Sequence, residues 1–216
     1  MKKILALILA LTMLFALAAC GEGDKPTSPS DTGKDNTASD NTDTTTPDAD
    51  TTPDVTDAPV DILKAAWAKV ADDQKFPVGG GDANHTDFEG PGIVEDKDHM
   101  MGVLLIPEAE IAKIDAAAAF MHMMNANTFT CGAYHLTDAS EADAFAQTMR
   151  DVIMNNQWMC GFPDKVIIAK VGASNVVVMF GACSEFGDAV TPVITGLQEV
   201  YGEAVTVLVD EFIAVG

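Results

Sequence analysis

Basic residues are scarce: 12 Lys and Arg stand against 33 Asp and Glu, for a formal charge of −21 over 216 residues. That balance excludes nucleic acid as a partner, because affinity for it comes largely from cations that neutralise phosphates. It also excludes flat adsorption on anionic lipid, and leaves cations or basic peptides as what such a surface attracts. There are four cysteines and no C-x-x-C, and no His adjoins a Cys, which excludes a dithiol redox motif. Cys131 and His135 fall on one face of an expected strand, but about 13 Å apart along the backbone, too far for a nucleophile–base pair. No H-E-x-x-H, EF-hand loop or phosphate-binding glycine loop occurs. Gly79-Gly80-Gly81 has no Lys or Ser/Thr after it and is expected to be a flexible loop running through to Gly92. No catalytic constellation is visible, so the chain is not expected to be an enzyme, and no catalytic residue is nominated.

What is present begins with Met1-Lys2-Lys3 and an uncharged apolar run over residues 4–19. A basic start, an apolar stretch and small residues before a cleavage point make a secretory signal. The run is short for a bilayer span, and no stop-transfer pattern follows. Leu17-Ala18-Ala19-Cys20 resembles a bacterial lipobox. The resemblance implies that residues 1–19 are removed, that Cys20 carries diacylglycerol and a fatty acyl chain (palmitate-like), and that the protein is anchored on the extracytoplasmic face of the cell membrane. Two or more acyl chains give the stable anchoring that one does not. No other cofactor is expected.

From Cys20 to residue 58 the chain is Thr, Asp, Pro, Ser, Asn and Gly, with ten acids against Lys25 and Lys34. Such a segment buries too little apolar surface to offset its conformational entropy and is expected to be a disordered tether. Residues 59–216 are long enough for a single domain with its own core.

Asp57-Ala58-Pro59 reads as a helix start, followed by Ile62, Ala65, Ala66, Lys69 and Val70 at helical spacing. Met100 to Ile106 is expected to be a strand. Pro107 then suits the first turn of a helix carrying Ile111, Ile114, Ala118 and Met121. The pattern is clearer afterwards: a strand over Thr128 to Leu136, a helix capped by Asp138 or Ser140, and a strand over Val166 to Val171. A turn at Gly172–Asn175 leads into a strand over Val176 to Phe180, then a helix from Val190 to Tyr201 and a strand over Ala204 to Val209. From about 127 to 210 the order is β-α-β-β-α-β. The expected class is α+β, a ferredoxin-like unit with an antiparallel sheet and two helices on one face. The residues before it would add helices and an edge strand.

Four groups of residues stand out as candidate sites. With Cys20 lipidated, Cys131, Cys160 and Cys183 remain. Register counted outward from the Gly172 hairpin puts Cys183 opposite a residue near 164, which nominates a Cys160–Cys183 disulfide and leaves Cys131 a buried strand thiol. His99, Met121, His122 and Met124 are the candidates for a metal, since thioether and imidazole suit copper(I); Met at helical spacing is otherwise a core filler. Trp158 and Phe162 are either packing residues at a helix end closed by Gly161 and Pro163, or an exposed recognition loop. Finally, Gln157-Trp158-Met159-Cys160-Gly161-Phe162-Pro163-Asp164-Lys165, with Met124 to Thr130 and Val176 to Gly181, resembles uncharacterised surface lipoproteins of Gram-positive anaerobes that carry a domain of unknown function. The resemblance implies a cell-surface address and no particular chemistry. The expected role is a non-catalytic binding or scaffold domain facing cell-wall material, peptide or a surface protein. Extracytoplasmic copper binding is the first alternative, and cell-envelope hydrolysis the second.

Overall fold

The computed structural model describes residues 53–124, 128–159, 161–184 and 187–214. The expected signal, most of the expected tether, Cys20 and Cys160 lie outside those residues.

The first helix, α1 (Pro59–Lys69), starts with proline at its first position, where the missing N–H costs nothing. Asp57 does not cap it; its carboxylate accepts a hydrogen bond from the Tyr201 hydroxyl at 2.8 Å. Then come short strands β1 (Val78–Gly80) and β2 (Gly92–Ile93), short helices α2 (Lys97–Gly102) and α3 (Glu108–Ile111), and strands β3 (Ile114–His122) and β4 (Phe129–Leu136). A 3-10 turn capped by Asp138 leads into α4 (Ala142–Met154), followed by β5 (Lys165–Val171), β6 (Asn175–Gly181) and a small ribbon of β7 (Cys183–Ser184) with β8 (Gly187–Asp188). The chain closes with α5 (Thr191–Tyr201) and β9 (Val205–Phe212). Among the described residues, no helix is long and apolar enough to cross a membrane.

The α+β class holds, and the order β4-α4-β5-β6-α5-β9 matches the expected one. The hairpin register is within one residue of the expectation, with Val171 opposite Asn175 and Lys165 opposite Gly181. The sheet, however, runs β1-β3-β4-β6-β5-β9, with β2 also on β3 and every pairing antiparallel. In the expected unit the last strand joins β4. Here β3 holds that position and β9 pairs with β5 instead.

One consequence corrects the expectation of two helices on one face. The connections β4-α4-β5 and β6-α5-β9 each join parallel strands across an intervening one, and such crossovers are overwhelmingly right-handed. Both step the same way across the sheet but start from strands of opposite sense, so the same hand puts their helices on opposite faces. The buried residues follow. Val193 and Leu197 of α5 cluster with Ile62, Leu63 and Ala66 of α1 over Ile167, Ala169, Val177 and Met179. Phe145, Met149 and Ile153 of α4 cover Val166, Ile168, Val176 and Val178 on the other side. Both faces of β5 and β6 are therefore buried, which accounts for their unbroken apolar runs. Where α5 crosses α1, a Cβ on Gly196 would stand 2.4 Å from the Ala66 carbonyl oxygen, so glycine sets how closely these helices approach.

The segment before β4 departs most from the sequence reading. Met100 to Ile106 is not a strand: the Asp96 carboxylate accepts from the N–H groups of Asp98 and His99 and starts α2. The expected helix after Pro107 lasts only Glu108–Ile111, and its continuation is β3. Alanine favours helices in isolation, but here the run is consumed by pairing: Ala117, Ala118 and Ala119 face Tyr134, Ala133 and Gly132. Ala118 packs into the α1/α5 side, Ala117 and Ala119 into the other. Gly79–Gly81 is likewise not a loose loop. Gly79 and Gly80 pair with β3, and a Cβ on Gly80 would fall 2.0 Å from the Gly90 carbonyl oxygen.

Candidate functional site

The cover beside β3 is organised by one carboxylate that sequence reading missed. Asp82 is 2 % exposed. Its Oδ1 accepts from the N–H groups of Asn84 (2.9 Å) and His85 (3.0 Å) and lies 2.9 Å from His85 Nδ1. Its Oδ2 accepts from the N–H groups of Glu95 (2.7 Å) and Asp96 (2.9 Å). Burial alone would favour the neutral acid, but these bonds prevail and hold the carboxyl well below its usual 3.8. Asp82 thus ties the turn after β1 to the residues that lead from β2 into α2. After α2 the chain turns at Leu105, whose φ of 60° makes it the one non-glycine left-handed residue among those described. Leu104 and Ile106 on either side are buried, which holds that turn against its backbone cost.

These short pieces do not close over the sheet edge. On the outer side of β3, β1 pairs with Phe120, Met121 and His122, and β2 with Ala118 and Ala119. The Val94 N–H donates to the Ala117 carbonyl at 2.9 Å. Over Ile114–Ala116, no described strand pairs with β3 on that side. A groove of about 470 Å³ lies there, lined by Val60 at the start of α1, Ile93, Met100 and Ile111 across it, and Ala116 and Ala117. Glu95, Lys97 and Asp115 supply its charged groups. Asp115 also holds His135 Nδ1 at 2.6 Å across the β3–β4 pair, where the register shifts. A long, mostly apolar groove with a few charges and an uncovered strand edge can bind a ligand by shape, by burial and by main-chain hydrogen bonds.

The nominated site residues are placed as follows. His99, Met121 and His122 line one open cavity of about 360 Å³ against Gly79–Gly81, with Met123 rather than Met124 as its other thioether. Met121 was expected on a helix; it lies instead in the last two residues of β3, where alternation sends it and His122 to opposite sides. The His122 ring stacks on Phe76 at 4.8 Å, and its Nδ1 accepts from the Met124 N–H at 2.9 Å. Burial lowers the pKa of that imidazole. His99 Nε2 is buried and has no hydrogen-bond partner among the described residues. Among the described residues, no group of three or more His, Cys, Asp or Glu side chains is placed to hold a metal ion.

Cys131 is fully buried in β4, and burial raises its thiol pKa. Cys183 is a half-buried thiol whose backbone N–H donates to the Asp164 carboxylate at 3.0 Å, so the register brings it beside the segment that contains Cys160. The pairing itself involves a residue outside those described. Trp158 and Phe162 part company: the Trp158 ring packs on Phe180 at 5.4 Å, whereas Phe162 is 54 % exposed. The helix before them ends at Met154, not at Gly161, although Gly161 does take a left-handed φ of 71°.

The groove left no motif because it is lined by ordinary apolar residues from five separate elements. Asp82 carried a faint signal, an acid followed by Ala-Asn-His-Thr with no helix to cap. Against known proteins, the chain matches no family model, no curated protein and no solved structure.

Proposed function

We propose that this chain is a lipid-anchored, extracytoplasmic binding protein whose domain takes up its ligand in the groove beside β3. The groove carries the reading: it is large, mostly apolar and bordered by strand backbone that no described strand pairs. The lipobox-like Leu17–Cys20 and the acidic tether support the address, because an acidic domain has no charge of its own with which to hold an anionic membrane. Partners that suit such a groove are peptides, including those of cell-wall material, or a segment of a surface protein.

Two measurements on the full-length protein test this. Labelled palmitate should enter the wild type and not Cys20→Ser, which should leave the membrane fraction; a Cys20→Ser protein that stays there refutes the anchor. Ala116 is exposed within the groove, so Ala116→Trp should plug it. Saturable binding of muropeptides or decapeptides that survives this change refutes the groove as the site.

A copper(I) site is the second reading. The observation in its favour is the unpartnered His99 Nε2, on a residue that lines the same cavity as Met121 and Met123. Anaerobic titration with copper(I), with and without His99→Ala, checks it: equal uptake by both proteins ends this reading.

A further inference from the structure

We infer that the ligand of this groove is an extended polypeptide that adds as a strand to β3 along Ile114–Ala116. The inference rests on the groove being the binding site and goes further by naming what occupies it. An unpaired strand edge recognises main chain above all, since its N–H and C=O groups are spaced for another strand and for little else. Three observations converge on this stretch. β1 and β2 stop at Ala118, so the ladder that they begin has no described continuation over the next residues of β3. The Val94 N–H already donates to the Ala117 carbonyl, so an incoming strand would extend a line of pairing that exists. Walls stand on both sides, with Val60 on one and Met100 and Ile111 on the other, so every second side chain of the incoming strand would meet an apolar surface.

Charge narrows the occupant. Residues 59–216 carry a strong excess of acids, and Glu95 and Asp115 line the groove with only Lys97 against them. An incoming segment with basic flanks is therefore favoured over a second copy of this chain or its own acidic tether.

The test uses full-length protein in mild detergent and a synthetic decapeptide of alternating Val and Thr flanked by lysines. Two N-methylated versions carry the same number of methyl groups, one on each alternating set of amides. Each lost main-chain hydrogen bond weakens binding by up to about tenfold. One version should therefore bind at least about tenfold more weakly than the parent, and the other within about twofold of it. Binding of the parent should be lost in Ala116→Trp, with the unfolding temperature of that variant confirming that it is folded. Equal binding of both methylated versions, still lost in Ala116→Trp, would overturn strand addition and leave the groove as the site. Binding that persists in Ala116→Trp would overturn both readings, and failure of the parent peptide to bind overturns strand addition. Mass-dependent self-association abolished by Ala116→Trp would identify a second copy as the occupant and overturn the basic peptide.

Discussion

The sheet is covered in two ways. On one side, α1 and α5 pack as a pair of eleven-residue helices whose buried stripes meet at Gly196. Across the β3 half of the other side, the cover is made of a two-residue strand, two helices of six and four residues, and turns held by Asp82 and Leu105. The paired helices leave only a smaller cleft of about 320 Å³ at the end of their seam, edged by Lys69, Gln74, Asp188 and Glu199; the short pieces leave the larger, more apolar groove beside β3. Long amphipathic helices bury a continuous stripe and so close a surface. Short segments bury single side chains, such as Met100, Leu104 and Ile111, and leave open the edge that a ligand can use.

The largest effect expected from that contrast belongs to the helix pair. Leu197 is fully buried there, and Leu197→Ala should cost about 3 to 4 kcal/mol in denaturant melts, as a fully buried leucine does when a cavity is left. A loss below about 1 kcal/mol would mean that the pair is not the tight cover described. Next comes Asp82→Asn, which removes a charged acceptor from a buried site and should cost about 2 to 3 kcal/mol at pH 7. The sign of its pH dependence follows from the folded carboxyl lying below 3.8. The stabilisation is complete above that unfolded value and is lost as the pH falls below it toward the folded value, so the two proteins should converge in strong acid. A gap between wild type and Asp82→Asn that stays constant down to pH 2 would contradict this. A smaller effect sharpens the comparison through dynamics: amides of residues 97–111 should exchange with solvent faster than those of α1 and α5, because short covers open locally. Uniform protection across both would erase the distinction. Smallest of all is the effect of Ala116→Trp on stability, a change of no more than about 0.5 kcal/mol at an exposed position, even though ligand binding is lost. Comparing its melting curve with its binding isotherm separates the two.

The same division explains how much could be read beforehand. The stripe Val193, Ile194, Leu197 follows a helical period and was legible, as were the unbroken apolar strands β5 and β6. The segment 93–122 was not. Its alanines favour a helix locally, and only the presence of β4 on one side and the Gly79–Gly80 edge on the other makes a strand there cheaper. The copper candidates were read on a helix and are realised at the end of a strand, where Met123 rather than Met124 lines one cavity with His99, Met121 and His122. The groove was invisible because its walls come from residues far apart along the chain, none of them unusual in type.

By itself, the sequence determined the α+β class, the order β-α-β-β-α-β, the turn at Gly172 and the apolar stripes, because each depends on neighbours a few residues away. Tertiary structure alone decided which strand lies beside which. Once β3 takes the free side of β4, β9 must go to β5, and two right-handed crossovers that step the same way from antiparallel strands must place α4 and α5 on opposite faces. That choice is made by long-range pairing and handedness, which no local pattern encodes.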